Sequence, residues 1–170
     1  MIQLNGIKHG PGYYIDPILA GNKHMVVSGT LNIHGVVPST VTTYLKQTAM
    51  KNDSAIFVNS KSGWAVGDTI VIAPTFSAWD EFEQKTITAL NSDGSLQLDS
   101  PLAYTHYGSS SNTISNHYGN LDTRARVGHI NRNVKIVPGP DSGWGYSVTI
   151  YGYRDTNDNL WIGNAEVSGV

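Results

Sequence analysis

The sequence predicts an all-β protein, and two features of the 170-residue chain support that prediction. The chain has 18 glycines and only 14% charged residues, a composition that suits short strands and tight turns better than amphipathic helices. Several segments are brief apolar pairs or triplets bordered by Gly or Asn, as in the coils of a right-handed parallel β-helix. These segments are 25–29, 30–35, 133–137, 148–152 and 165–170.

The pattern of these segments alone does not distinguish a β-helix from a sandwich or barrel, and the stretch 64–75 predicts a compact all-β module. A turn at 67–68 is followed by a run of β-branched residues at 69–73, which predicts a strand, and Pro74 ends it. Asp and Gly at 93–94 lie between two further apolar runs, which predicts a hairpin closed by a two-residue turn. We expect this module to resemble a small β-barrel or sandwich.

Length, charge and cysteine content exclude several classes of protein. A chain of this length fits one domain that buries roughly 70% of its unfolded surface, and the absence of cysteine removes disulfide and thiolate chemistry. The 11 basic and 13 acidic residues give a net charge of −2 without a basic run, so nucleic acid is not an expected partner. No apolar stretch reaches the roughly 20 residues that cross a bilayer, and residues 1–10 lack the apolar core of a signal peptide. We therefore expect neither membrane insertion nor a signal peptide in this chain.

Many short signals occur in a fixed order between residues 29 and 108 and again between 121 and 136. They are GTLNIHG ending at Gly35, Thr48-Ala49, Ile56, Trp64, Gly67-Asp68, IVIAPT ending at Thr75, Glu83, Thr86-Ile87, Leu98-Asp99, Pro101-Leu102, Tyr104, His106, Gly108, Arg124-Ala125, Val127-Gly128 and Arg132-Asn133-Val134. By these motifs the chain resembles the glycine-rich domain and adjoining β-helix of fibrocystin-like receptors, of cell-surface hyaluronan-processing proteins (the cell migration-inducing, hyaluronan-binding type) and of their bacterial relatives. The resemblance implies an extracellular or cell-surface location, and a polysaccharide or cell-surface glycan as partner.

These observations together predict the organisation of the chain as a single β domain over 1–170. The first β-helix coils occupy 1–36, and the inserted β-barrel- or sandwich-like module occupies 37–108. A loop follows at 109–123, and the chain returns to β-helix coils over 124–170. The sequence leaves the oligomeric state open.

Three residues are candidates for acid–base chemistry on a sugar: Glu83, His106 and Asp122. A carboxylate can act as general acid or base at a glycosidic bond, and His106 lies between Tyr104 and Tyr107, whose rings can flank a sugar. The alternative interpretation is structural. A carboxylate at the start of a strand often closes a turn by hydrogen bonding, and a loop histidine often bonds the backbone.

Arginines and aromatic residues supply the candidate ligand-binding side chains. In an extended segment, alternation places Arg124, Arg126 and Arg132 on one side, where three guanidiniums can cradle the carboxylates of an acidic polysaccharide. The alternative is that these arginines bridge the β module to the β-helix through Asp122, Asp99 or Glu83. Planar rings exposed on a β surface stack on sugar faces. The aromatic candidates are Tyr104, Tyr107, Trp144, Tyr146, Tyr151, Tyr153 and Trp161.

A calcium site is the cofactor hypothesis that the sequence raises. Asp155, Asn157, Asn159 and Glu166 match positions one, three, five and twelve of an EF-hand loop, but Leu160 replaces the glycine that this loop requires. The segment 155–159 is better interpreted as a polar turn between strands. We therefore expect no cofactor and no metal ligands.

Three functional hypotheses follow. The first is an extracellular carbohydrate-associated or adhesion module that is not catalytic as an isolated chain. The second is a polysaccharide depolymerase, a glycosidase or lyase, acting on an acidic glycan such as hyaluronan. The third is a structural stalk segment. An enzyme requires the acidic residues and His106 to meet in one cleft, whereas a binding module requires only an exposed aromatic and arginine surface.

Overall fold

The computed structural model describes residues 1–7, 9–15, 18–76, 78–108, 113–116, 119–140 and 145–170. All regular secondary structure within these ranges is β-strand, so the all-β prediction is confirmed for them. The strands are β1 (Ile2–Leu4), β2 (Tyr13–Ile15), β3 (Ile18–Ala20), β4 (His24–Val27), β5 (Thr30–His34), β6 (Thr42–Tyr44), β7 (Ala55–Ile56), β8 (Thr69–Ile72), β9 (Glu83–Leu90), β10 (Leu96–Leu98), β11 (Thr113–Asn116), β12 (Gly119–Asp122), β13 (Arg126–His129), β14 (Ile136–Pro138), β15 (Ser147–Ile150), β16 (Gly152–Arg154), β17 (Leu160–Ile162) and β18 (Asn164–Ser168).

The chain divides into two compact units. The coil unit consists of Met1–Val36 and Arg132–Val170, and the barrel unit consists of Val37–Asn131. Along the sequence, the barrel unit is thus one continuous segment that lies between the two parts of the coil unit. The finer predicted subdivision at residues 108 and 123 stays a prediction.

Three parallel strand pairs characterise the coil unit. Strand β1 pairs with β14, β4 with β15 and β5 with β18, each in a separate two-stranded sheet. Two antiparallel hairpins, β2–β3 and β16–β17, complete the pairing among its described residues. The apolar segments predicted as strands therefore do form strands. The pairs establish parallel ladders and not, by themselves, a β-helix.

The barrel unit contains a six-stranded antiparallel sheet in the order β6-β13-β8-β9-β10-β7. The sheet curls until its two edges meet, where Leu45 and Val58 form an isolated antiparallel bridge. Two backbone hydrogen bonds flank that bridge: the Lys46 amide donates to the Phe57 carbonyl at 2.8 Å, and the Asn59 amide donates to the Tyr44 carbonyl at 3.0 Å. Pairing the edges in this way satisfies backbone groups that an open sheet would leave exposed.

The curled sheet encloses the hydrophobic core. Its buried side chains come from alternate positions of the strands and from the loops that cross the barrel ends. They are Leu45, Ala49, Ile56, Val58, Trp64, Ile70, Ile72, Ile87, Leu96, Leu98, Leu102, Ala125 and Val127. Burying each large member of this set stabilises the fold by about 1.5–3 kcal/mol. The Trp64 ring can be buried because its indole Nε1 donates a 2.6 Å hydrogen bond to the Thr40 carbonyl.

The predicted turn and strand after Trp64 are confirmed. Gly67 has a φ of 94°, which favours glycine, and the Asp68 carboxylate accepts a 2.7 Å hydrogen bond from the Ala65 amide. The same carboxylate contacts His129 Nε2 at 3.0 Å. Strand β8 then begins at Thr69. The turn therefore both starts this strand and connects it to β13.

The predicted hairpin is present, but the prediction of a two-residue turn is wrong. Strands β9 and β10 pair from Leu90 and Leu96, so five residues connect them. The Asp93 carboxylate accepts hydrogen bonds from the backbone and hydroxyl of Ser95, at 2.9 and 2.7 Å, and Gly94 has a φ of 91°. These side-chain bonds stabilise the longer loop, a contribution that the Asp-Gly pair alone does not reveal.

Gly108 provides a test of the packing in the barrel unit. A Cβ atom at this position would lie 2.1 Å from the Gln47 carbonyl oxygen, whereas at Gly128 the nearest atom would be 3.4 Å away, on Val71. We expect Gly108→Ala to lower the free energy of unfolding by about 1–3 kcal/mol, because backbone would have to move. The control Gly128→Ala should stay within about 0.5 kcal/mol. Denaturant unfolding measures both, and equal stability of the two variants would contradict this packing.

Candidate functional site

The Glu83 carboxylate is the buried charge around which the candidate site is arranged. Glu83 begins strand β9, where alternation points its side chain toward the interior. Its two oxygens accept hydrogen bonds from the backbone amides of Ala103, at 2.9 Å, and Tyr104, at 3.0 Å. The carboxylate thus holds a loop that lies far from it in sequence.

His106 and Lys85 complete the contacts of this carboxylate. His106 is fully buried, with Nε2 3.0 Å from one Glu83 oxygen and Nδ1 3.0 Å from the Ala73 carbonyl. Lys85 Nζ lies 3.0 Å from the other oxygen and also donates to the Pro101 carbonyl at 2.8 Å. A carboxylate offers about four acceptor positions, and four donors surround this one.

The electrostatics of this cluster favour an ionised Glu83. Burial by itself raises the pKa of a carboxyl group, but the hydrogen bonds from Ala103, His106, Lys85 and Tyr104 outweigh it and lower the pKa of Glu83 below its ordinary value. The two ring nitrogens of His106 lie within hydrogen-bond distance of the Ala73 carbonyl and of the Glu83 carboxylate. The cluster is consequently a closed set of charge-assisted hydrogen bonds.

An open groove lies beside this cluster. Its volume is about 350 Å³, and apolar and aromatic side chains provide most of its lining. The lining residues are Met50, Lys51, Phe76, Glu81, Ala103, Tyr104, Thr105 and Tyr107. The Phe76 and Tyr107 rings pack at 5.1 Å between centroids, and Phe76 and Tyr104 remain 52% and 40% exposed. Such a surface can stack against the apolar face of a ring-shaped ligand.

The walls of the groove are held by backbone pairing next to His106. Ala49 and His106 form an antiparallel bridge, with amide-to-carbonyl distances of 2.9 and 2.8 Å. The Lys51 amide donates to the Thr105 hydroxyl at 3.0 Å, and the Tyr107 amide donates to the Thr75 hydroxyl at 3.1 Å. The backbone segments that carry the Tyr104 and Tyr107 side chains are therefore held in place on both sides of the buried His106.

Asp122 is bound to an arginine and is not among the contacts of Glu83 and His106. Its carboxylate accepts from Arg124 Nε at 3.0 Å and from Arg124 NH2 at 2.6 Å, a bidentate pair. These hydrogen bonds lower the pKa of Asp122 and raise the pKa of Arg124. The Arg124 and Arg126 guanidiniums lie 4.9 and 5.1 Å from the centroid of the Tyr44 ring. The structure thus brings two of the predicted arginines together, and Arg132 belongs to the coil unit.

The aromatic candidates of the coil unit lie in different settings. Trp161, in β17, is 49% exposed, and its Nε1 donates to the Asp155 carboxylate at 3.1 Å. The Tyr146 hydroxyl donates to the Ile136 carbonyl at 2.9 Å. Tyr151 and Tyr153 stack at 6.4 Å between centroids. Trp144 lies outside the described residues.

The proposed calcium loop is a hydrogen-bonded turn between β16 and β17. One Asp155 oxygen accepts the backbone amides of Asn157 and Asn159, both at 2.9 Å. The other accepts the Asn159 side-chain amide, at 3.0 Å, and the Trp161 indole. Both oxygens are therefore engaged within the turn. Within the part of the chain that the structure describes, no group of three or more His, Cys, Asp or Glu side chains is placed to hold a metal ion.

Sequence reasoning missed two residues of these sites, Lys85 and Tyr44. The signal for Lys85 was available, because alternation along β9 places it on the same face as Glu83 and Ile87. The signal for Tyr44 was not, because its proximity to Arg126 depends on the register between β6 and β13.

Comparison with known proteins adds a family resemblance to this geometry. The chain is 33% identical to human fibrocystin-L over 130 residues, and to the mouse protein over 129 residues, which is 74% of this chain in each case. It is 31% identical over 93 residues, or 52% of its length, to a G8 domain-containing protein of Dictyostelium discoideum. No family model matches the chain.

These similarities support a fibrocystin-like, G8-type β domain. The chain spans only 3% of the length of each fibrocystin-L sequence and 8% of the Dictyostelium protein. The resemblance to hyaluronan-processing and bacterial proteins stays a prediction. Among the described residues, no helix has the length and apolar character needed to cross a membrane.

Glu83 should make the stability of the barrel unit sensitive to acid. Because its pKa is lowered in the folded state, its contribution is complete above the ordinary value of 4.5 and is lost as the pH falls through the lower, folded value. We expect Glu83→Gln to cost on the order of 3 kcal/mol at neutral pH, since the buried Lys85 ammonium loses its counter-charge, and to flatten the acid limb of stability.

Thermal unfolding between pH 2 and 7 measures this effect. Glu81→Gln is the matched control, because it makes the same chemical change two residues earlier, and it should retain the acid limb of the parent chain. An unchanged acid limb in Glu83→Gln would contradict the assignment of Glu83 as a buried, ionised carboxylate.

The Asp155 turn predicts a second titration. Hydrogen bonds from the Asn159 side chain, from Trp161 and from backbone amides lower the pKa of Asp155 to about 2. We expect the Trp161 indole N–H resonance in NMR spectra to shift with a midpoint near that pH, and this step to vanish in Asp155→Asn. Calcium added at neutral pH should leave the resonance in place. A midpoint at the ordinary value of 3.8, or a calcium-induced shift, would overturn the turn assignment.

Proposed function

We propose that this chain is an extracellular, carbohydrate-associated adhesion module that is not catalytic by itself. The observation that carries the proposal is the groove in the barrel unit, where exposed aromatic rings lie beside a carboxylate with no acceptor position left for a substrate. The extracellular or cell-surface part of the proposal rests on the resemblance to fibrocystin-like receptors.

The groove has the features of a site for one or two sugar rings. Pyranose rings present apolar C–H faces, which stack on aromatic rings such as Tyr104. Lys51, Glu81 and Thr105 place polar groups at the groove lining, where they can bond sugar hydroxyls. A binding module needs only this combination of rings and polar groups.

The burial of Glu83 and His106 argues against the depolymerase hypothesis. A general acid or base must reach the proton it transfers, within about 2.6–3.2 Å of a substrate atom. His106 is fully buried, and both of its nitrogens face protein acceptors. Asp122, the remaining predicted acid, is paired with Arg124. We therefore assign Glu83 and His106 to positioning the groove walls.

We also propose that the barrel unit is inserted in sequence between coils of a parallel β-helix, and the strand pairing of the coil unit supports this architecture. The strands β1, β4 and β5 pair in that order with β14, β15 and β18, and each pair is parallel. Two successive three-stranded coils stacked on one another would produce this order. The hairpins β2–β3 and β16–β17 would then be excursions from the corners of each coil.

A binding and turnover screen against neutral and acidic glycans tests the proposed function. We expect binding without shortening of the glycan, and Tyr104→Ala to weaken binding up to about tenfold, since an aromatic stacking contact contributes about 0.5–1.5 kcal/mol. Trp79→Ala is the control, because this ring is 82% exposed and lies outside the groove lining. Affinity comes from calorimetry and glycan length from size-exclusion chromatography.

Two outcomes would contradict the proposal. Glycan shortening that disappears in Glu83→Gln, in a variant that is still folded, would establish an enzyme. Absence of binding to every glycan would leave a structural stalk segment.

A further inference from the structure

We infer that the outer face of strands β6 and β13 binds the oxyanion groups of an anionic glycan, through Lys46, Arg124 and Arg126 arranged around Tyr44. The inference deepens the proposed function, because it assigns a charge class to the glycan. The observations that support this inference are separate from those that support the aromatic groove.

The register between the two strands brings the three cations together. Arg126 lies directly opposite Tyr44 in the antiparallel pairing. The pairing continues beyond β6, because the Leu45 amide donates to the Ala125 carbonyl at 3.0 Å. Lys46 and Arg124 each lie two residues from this Tyr44–Arg126 pair, so alternation places them on the same side of the sheet. Cross-strand neighbours on one face have Cβ atoms about 4.5–5.5 Å apart, so the cations share a small area.

Alternation along both strands places this set on the outside of the barrel. Leu45 and Ala125, which separate the members of the set along each strand, are buried in the core. Lys46 and Arg126 are exposed, whereas Arg124 and Tyr44 are half-buried. The face is consequently available to a macromolecular ligand.

The Tyr44 ring orders the guanidiniums before any ligand binds. Both guanidiniums lie within about 5 Å of its centroid, the range of a cation–π contact. Asp122 accepts three side-chain hydrogen bonds from Arg124. Among the described residues, by contrast, Lys46 and Arg126 form no ion pair. The Asp122 carboxylate interacts with Arg126 through space but is already hydrogen-bonded to Arg124, so an oxyanion would give Lys46 and Arg126 the directly bonded counter-charge that the described residues do not.

The charge arrangement has a stability cost that ligand binding would explain. Like charges held close together repel each other, and the Arg124 and Arg126 guanidiniums lie against the same Tyr44 ring. Three cations and one carboxylate give the cluster a charge of opposite sign to the whole chain, which carries −2. Gly128 continues the same face beyond Arg126, and the absence of a side chain there leaves room beside Thr42 and Val71.

The chemistry of the site fits a carboxylate or a sulfate ester. Guanidinium groups donate paired hydrogen bonds to two oxygens of either group, and an ammonium adds a point charge. A linear polymer that carries such groups at intervals would contact the cations together. Both sources share this oxyanion chemistry, so the test contains one polymer of each kind.

The test compares binding of dextran sulfate, polygalacturonate and neutral dextran by calorimetry at several salt concentrations. The double variant Lys46→Gln/Arg126→Gln removes one lysine and one arginine from the face. The control Lys135→Gln/Arg154→Gln removes the same two types of charge from the coil unit. Circular dichroism confirms that both variants are folded.

We expect the parent chain to bind at least one of the two anionic polymers, more weakly as salt rises, and to show at least tenfold weaker affinity for neutral dextran. The double variant on the face should lose at least tenfold in affinity for the anionic polymer and show a smaller salt dependence, whereas the control should lose less than threefold. Binding of dextran sulfate alone identifies the sulfate ester, binding of polygalacturonate alone identifies the carboxylate, and either result supports the site.

Three results would overturn the inference: no binding of either anionic polymer, an equal loss in the two double variants, or equal affinity for neutral dextran. Failure of this inference can be distinguished from failure of the groove assignment. If Tyr104→Ala has no effect on any glycan while the face variant loses polyanion binding, the groove assignment fails and the anion site stands.

Discussion

A single buried carboxylate, that of Glu83, organises the barrel unit and its candidate site. An ionised carboxylate cannot remain in a protein interior without donors, and this one has two backbone amides, a lysine and a histidine. Those donors come from the loop that follows β10 and from β9 itself. Hydrogen bonding to the Glu83 carboxylate thus requires a particular path of the loop that carries Tyr104.

The same interaction connects the core to the surface. His106 connects the carboxylate to Ala73 and, through backbone pairing, to Ala49, which directly precedes the groove residue Met50. Ala73 in turn donates to the Arg126 carbonyl at 2.8 Å, at the start of the strand that bears the basic face. We therefore propose that the residues that resemble catalytic groups in the sequence position the groove, and that the exposed residues around them bind the ligand.

The sequence predicted the elements that depend on local pattern and missed those that depend on register. Alternation and turn residues were sufficient to predict β8 and the hairpin strands β9 and β10. The apolar segments bordered by Gly or Asn were sufficient to predict β4, β5, β15 and β18. The five-residue connection before Leu96 depends on side-chain bonds of Asp93, which no dipeptide rule contains. Glu83, His106 and Asp122 were identified as candidate catalytic residues, but the burial of Glu83 and His106 follows from the curling of the sheet. The contact of Arg126 with Tyr44 needs a cross-strand register that periodicity does not provide.

Amide hydrogen exchange at Ala103 and Tyr104 tests the central role of Glu83 most directly. These two backbone amides donate to the carboxylate, so their exchange rates, measured by NMR in the parent chain and in Glu83→Gln, report on that interaction alone when amides of β8 serve as the reference. The account predicts slow exchange in the parent chain and an acceleration of at least tenfold in the variant at these amides, with the β8 amides much less affected. Equal protection of Ala103 and Tyr104 in both proteins would show that the loop is positioned by other contacts and would contradict the account.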